Sequence, residues 1–182
     1  FAPFYLMDAF AGAQIVHDSV QRPLVSGKEL IVDALPEEEE GGWMPTPFQC
    51  SLLLFILTAA ATIYSIRKRT GLWGVDLILF GAAGIVGCVL AFLALFSEHP
   101  AVSSNFLLLV FHPGQLLLLP YIIYCVRKGK KCWYLTLNLV VLTLFMVLFP
   151  LIPQRFDLAV VPLALCLLIR SASNLILTSK KK

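Results

Sequence analysis

Residues 72–96 read LWGVDLILFGAAGIVGCVLAFLALF, 25 residues in which Asp76 is the single charged side chain. An α-helix rises about 1.5 Å per residue and the hydrocarbon layer of a bilayer is about 30 Å thick, so about 20 such residues span it. Inside lipid the backbone must satisfy its own hydrogen bonds, which a helix does locally. The run lacks the in-out alternation of a membrane-barrel strand, so it reads as a transmembrane helix. Outward from it, four further stretches meet the same test: 48–66, 105–126, 133–152 and 158–177. The expected fold is an all-α membrane protein, a five-transmembrane-helix bundle over 47–182 preceded by a short extramembrane segment, 1–46. Composition agrees: 59% of residues are apolar, 14% are charged and the mean hydropathy is +0.85. Soluble domains average about 45–50% and about 25%. A water-soluble enzyme is therefore excluded as a reading of this chain.

The connections between runs alternate in charge. Arg67, Lys68 and Arg69 follow the first span, Arg127, Lys128, Lys130 and Lys131 the third, and Lys180, Lys181 and Lys182 the fifth; these are ten of the fourteen basic residues. The other side carries ten of the eleven acids with only Arg22, Lys28 and Arg155. The positive-inside rule then predicts an N-terminus outside the cytoplasm and a C-terminus within it. Because every basic cluster abuts a membrane exit, topology and lipid headgroups account for the cations, and no nucleic-acid partner is expected.

Ionisable and amide side chains within apolar runs are costly and mark candidate sites. Asp76 and Arg170 lie at similar depths near the basic ends of spans two and five. They form either an intramembrane ion pair or, separately, a helix cap and a side chain reaching for the headgroups. On the opposite side Glu98, His99 and Asn105 share one loop, and His112 and Gln115 follow in span three. On a regular helix Asn105, His112 and Gln115 would share a face. Pro113 and Gly114 fall within that face and Pro120 follows, so a kink or interruption is expected there. Such a break serves either packing around a buried histidine or a polar cavity whose mouth Arg155 and Asp157 would mark. In span two, Gly81, Ala82, Ala83, Gly84 and Gly87 suggest close helix contact, with Ala83 and Gly87 at small-xxx-small spacing. Asn138 and Asn174 read as bridges between helices. Ser103, His99 and Glu98 supply the residue types of a hydrolytic triad, but adjacent Glu98 and His99 point different ways on any regular element.

The five cysteines, Cys50, Cys88, Cys125, Cys132 and Cys166, are scattered through the apolar runs as small hydrophobes. No metal site and no cofactor is expected. In the N-terminal segment Phe1, Phe4, Tyr5, Leu6 and Phe10 suggest a short amphipathic helix. Pro23-Leu-Val, Ser26-Gly27 and Glu29-Leu-Ile-Val suggest a small hairpin. Glu37 to Glu40 with Gly41-Gly42 form an acidic linker, and Trp43 and Phe48 are candidate interfacial anchors. The start at Phe1, with no basic-then-apolar signal, suggests a piece of a longer precursor.

The order of Phe4-Tyr-Leu-Met-Asp-Ala-Phe, Arg22-Pro-Leu-Val, the acidic linker and the spans resembles the C-terminal half of Bacteroidetes envelope proteins that carry an Lnb N-terminal periplasmic domain. Glu98-His-Pro-Ala-Val-Ser-Ser-Asn105 and Pro153-Gln-Arg-Phe-Asp-Leu-Ala add to the likeness. The resemblance implies a bacterial inner-membrane location with 1–46 in the periplasm, at the end of a periplasmic domain. It carries over no catalytic residue. Three functions are expected as alternatives. The first is a membrane region anchoring its own upstream periplasmic domain, with the bilayer and a further envelope protein as partners. The second is a small-solute or lipid-handling protein using Glu98, His99, Asn105, His112, Gln115 and Arg155. The third is a membrane-embedded enzyme acting on envelope lipid or glycan, with His99 and Glu98 as acid and base; any catalysis is more readily placed in the upstream domain.

Overall fold

The computed structural model describes residues 10, 12–17, 20–25, 44–97, 105–154 and 156–179. The chain divides into two compact units, 1–43 and 44–182.

In the first unit, strands β1 (Gln14–His17) and β2 (Val20–Pro23) pair antiparallel, from Gln14 opposite Pro23 to His17 opposite Val20. Two residues separate His17 from Val20, the shortest common hairpin connection. A hairpin is present, but earlier in the chain than Ser26-Gly27 suggested: Pro23 ends its second strand rather than opening the first. Its missing N–H is harmless at that terminal position. The expected helix over 1–10, the Ser26-Gly27 turn, the acidic linker and Trp43 fall largely or wholly outside the described residues.

The second unit is a five-span bundle. Helix α1 (Pro47–Lys68) starts from a capping box: Thr46 Oγ1 accepts from Gln49 N–H, and Gln49 Oε1 accepts from Thr46 N–H. Helix α2 (Trp73–Phe96) comes next. Span three is interrupted. A 3-10 turn (Phe106–Leu109) leads to the single-turn helix α3 (Gly114–Leu117), and α4 (Leu119–Lys128) leaves at 74° to the preceding segment. Helix α5 (Trp133–Leu148) continues into a 3-10 turn (Phe149–Leu151), and α6 (Val160–Ser179) completes the bundle. Among the described residues four helices are long and apolar enough to cross a bilayer, five when the bent pair counts as one span.

The bundle is apolar outside and partly polar within. Ile78, Leu95, Phe96 and Val147 are among the large exposed side chains. The buried residues of α1 are all hydroxylic: Ser51, Thr58, Thr62 and Ser65. Their spacing places them on one face, which packs on α6. In lipid this arrangement is economical, because a leucine gains nothing by leaving the hydrocarbon whereas a hydroxyl does. Helix α6 is the most enclosed of the long helices and also packs against α5 and α2. At the end opposite the basic exits, Phe149 and Phe156 stack and Phe145 meets both edge to face, with ring centroids 5.5–5.7 Å apart.

The basic exits of spans one and three end alike. Arg69 and Gly129 both adopt left-handed backbone (φ 51° and 62°), and the N–H of Thr70 and of Lys130 returns to Ser65 O and Cys125 O. These reverse bonds satisfy carbonyls that a helix end would otherwise leave open. Gly71 lies against Val126, where an added Cβ would come within 2.8 Å of its side chain. The clusters 67–69 and 127–131 therefore occupy the same end of the bundle.

Candidate functional site

Two polar layers lie inside the bundle. At the basic end, Asp76 sits in the first turn of α2, where the helix dipole favours a carboxylate. Arg170 reaches it from α6: Nε donates to Oδ1 at 2.7 Å and Nη2 to Oδ2 at 3.0 Å. Both side chains are fully buried. Asn174, one turn beyond Arg170, donates Nδ2 to Asp76 Oδ2 at 3.0 Å, and Arg170 Nη1 donates to Thr62 Oγ1 at 3.4 Å. Three helices are thus clipped by one carboxylate and one guanidinium, and the fork geometry of arginine supplies two parallel bonds. Among the described residues the Asp76 carboxylate accepts from Arg170 and Asn174 rather than capping its own helix. Arg170 does not extend to the surface. Sequence reading misses Thr62, since a threonine in an apolar run carries no signal of its own until its partner is known.

The second layer surrounds the interruption in span three. His112 follows the 3-10 turn and Pro113 opens α3 without a donor N–H of its own. Tyr134 Oη and His112 Nε2 share a hydrogen bond at 3.2 Å, its direction set by the imidazole tautomer, and the rings meet edge to face at 5.9 Å. Gln115 is fully buried and donates Nε2 to Val110 O at 2.8 Å, satisfying a carbonyl that the break leaves without a helical partner. Asn138 donates to Ser171 Oγ at 3.0 Å, and Ser171 in turn donates to Leu167 O. Gln115 Oε1 and Asn138 Oδ1 have no hydrogen-bond partner among the described residues.

The glycines of α2 explain how this irregular segment is seated. A Cβ on Gly84 would collide with the backbone of Leu116, and one on Gly87 would lie within 2.6 Å of His112 N and Cα. A Cβ on Gly81 would meet only Leu119 Cδ2, at 3.5 Å. The broken backbone therefore rests directly on Gly84 and Gly87. Ala83 is buried beside them, so the small-residue stripe serves close approach at a slightly different register from the Ala83 and Gly87 pair read from spacing.

The structure does not run a regular helix through 105–117, and the face expected for Asn105, His112 and Gln115 dissolves with it. Asn105 sits at the end of the bundle, accepting from Leu107 N–H at 3.0 Å and from Gln154 Nε2 at 3.1 Å; Gln154 Oε1 accepts from Phe106 N–H at 2.8 Å. Each of the three engages a different partner. Sequence reading also misses Gln154 and Tyr134, because one lies in a short turn and the other resembles an interfacial tyrosine. Asp157 caps the turn before α6, accepting from Ala159 N–H at 2.7 Å. Glu98, His99, Ser103 and Arg155 lie outside the described residues.

Between α1, α2 and α6 an apolar groove of about 240 Å³ opens, lined by Leu54, Leu79, Ala83, Val86, Leu167 and, from the interrupted segment, Phe111. Apolar outward faces, a hydroxylic and ionic interior and a kinked third span define a polytopic membrane protein of five transmembrane helices. The chain belongs to the family of the Lnb transmembrane domain, whose family model matches residues 37–182. No curated protein and no solved structure matches it.

Proposed function

We propose that this chain is a multi-pass inner-membrane region that anchors a periplasmic domain preceding it, with residues 1–46 as the end of that domain and its linker, and 47–182 in the bilayer. One observation carries the reading: the basic clusters leave odd-numbered spans at one end, while ten of eleven acids belong to the other side. Positive charge is retained in the cytoplasm, and with an odd number of spans this supports an N-terminal segment in the periplasm and a C-terminus in the cytoplasm. The interior supports an anchor, since Asp76, Arg170, Asn174 and Ser171 all bond to neighbouring helices or their own backbone. Met44→Cys and Ser179→Cys variants, each in a background without Cys50, test the orientation. A membrane-impermeant maleimide applied to intact spheroplasts should label position 44, and position 179 only after permeabilisation. Labelling of both from one side overturns the reading. Replacing residues 44–182 by an unrelated five-span anchor should leave the full-length protein's cellular role intact.

A second reading, lipid handling, is favoured by the apolar groove beside Phe111 and the polar residues next to it. An apolar lining suits an acyl chain better than a polar solute. His112→Ala with normal expression and fold should then abolish function that the anchor swap also abolishes. Retention of function in both variants leaves the anchor alone.

A further inference from the structure

We propose that the basic end of span three is a binding site for the headgroup of an anionic phospholipid. Pro120, Ile123, Tyr124, Arg127 and Lys128 recur at helical spacing along one face of α4 and line a concavity of about 490 Å³. Its two halves differ in chemistry. Pro120 and Ile123 provide an apolar floor on the side of the bundle's middle, against which acyl chains lie. Tyr124, Arg127 and Lys128 provide a polar, cationic rim at the helix end.

Two cations at this end are positioned, Arg127 in the lining and Lys130 just beyond it. Lys130 Nζ donates to Tyr124 Oη at 2.9 Å and lies 5.2 Å from the centre of that ring. This bond raises the lysine's pKa above its ordinary value, so the ammonium stays charged. Arg127 stacks 5.3 Å over the Trp73 ring at the start of α2. Neither Arg127, Lys128 nor Lys130 has an ion-pair partner among the described residues, where the carboxylate of Asp76 is bound to Arg170. A helix C-terminus by itself repels anions. Here the terminal carbonyls of Cys125 and Val126 accept from Lys130 N–H and Gly129 N–H, and Arg127, Lys128 and Lys130 are exposed at the same end. A phosphate with two acyl chains answers both halves of the concavity, and neither an acidic peptide nor a free anion uses its floor. The site does not rest on the anchor proposal, because it holds whichever aqueous phase this end faces.

The test uses the full chain in nanodiscs of phosphatidylcholine containing a minor share of phosphatidylglycerol. Lipids that stay bound after detergent extraction are counted by native mass spectrometry. Two engaged cations predict a preference for phosphatidylglycerol of roughly ten- to thirtyfold, weakening as salt rises. Arg127→Gln with Lys128→Gln removes both cations of the lining and should lower that preference at least roughly fivefold, with a melting temperature in phosphatidylcholine alone close to that of the parent chain. Arg67→Gln with Lys68→Gln removes the same charge from the neighbouring exit and should leave the preference within roughly twofold. Equal retention of the two lipids overturns the proposal. Equal loss in both double variants reduces it to a diffuse surface potential and overturns it as well. A third outcome, thermal stabilisation by inorganic phosphate matching that by phosphatidylglycerol, would show a free-anion site and overturn the lipid assignment.

Discussion

The ion-pair layer of Asp76 and Arg170 and the interrupted third span both place polar groups among apolar helices, and they handle the cost in opposite ways. In the first, regular helices present long side chains that find each other, and both carboxylate oxygens are bonded. In the second, the backbone itself departs from the helix, and side chains such as Gln115 repair the exposed carbonyls; both layers leave an amide acceptor without a partner among the described residues, Asn174 Oδ1 in the first and Gln115 Oε1 in the second. A charge within lipid is tolerable once its partner is fixed by rigid elements. A broken backbone requires neighbours shaped to receive it, here the glycines of α2. The first layer therefore tolerates change only in pairs, and the second depends on volume.

The largest effect is expected where the charge balance is broken. Asp76→Ala leaves Arg170 buried without a counter-ion and should destabilise the bundle by about 3–5 kcal/mol, read as unfolding in mixed micelles of increasing denaturing detergent. Asp76→Leu combined with Arg170→Met should recover most of that loss. If the double variant is no better than the single, the pair is not the coupling that the geometry implies.

Next in size are the glycines under the break. Gly84→Leu forces the backbone of Leu116 away and should cost about 2–3 kcal/mol in the same assay, whereas Gly81→Ala should change stability by less than about 0.5 kcal/mol. Equal effects at the two positions would mean that span three does not rest on Gly84. Smaller still, Tyr134→Phe removes the partner of His112 Nε2 and should cost about 1 kcal/mol, with a faster amide exchange over 110–116. Smallest is Gln154→Ala, which frees Asn105 and Phe106 N–H at a partly exposed end and should cost about 0.5 kcal/mol while increasing proteolysis near residue 105.

Much of this architecture is legible in the chain because membrane insertion acts on local composition. The run 72–96 already shows α2 to within a residue of its observed start at Trp73. Pro113, Gly114 and Pro120 announce the interruption of span three, since their effect on a backbone is local. The path of the chain beyond that break is not legible. The 74° turn at Leu118 and the partnership of Asn105 with Gln154, 49 residues away, depend on how helices dock, and helical periodicity stops predicting neighbours once the helix stops. Distance from the span ends brings Asp76 and Arg170 to comparable depths; that they meet depends on α6 lying beside α2, which no feature of either run encodes alone. A small N-terminal hairpin is legible as such, but the pairing of Gln14–His17 with Val20–Pro23 is not, because these short strands carry little pattern.

The bond between Asp76 and Arg170 also sets an order of events during synthesis. Ninety-four residues separate the two, so the ribosome delivers the second helix to the membrane well before the fifth exists. During that interval the acid lacks the guanidinium that it meets in the finished bundle. The nascent bundle is consequently unfinished in a chemical as well as a geometric sense, and it closes when α6 slides in beside the hydroxylic face of α1. Chains cut short before Arg170 would carry an orphan acid into the bilayer, a costly group there without its partner.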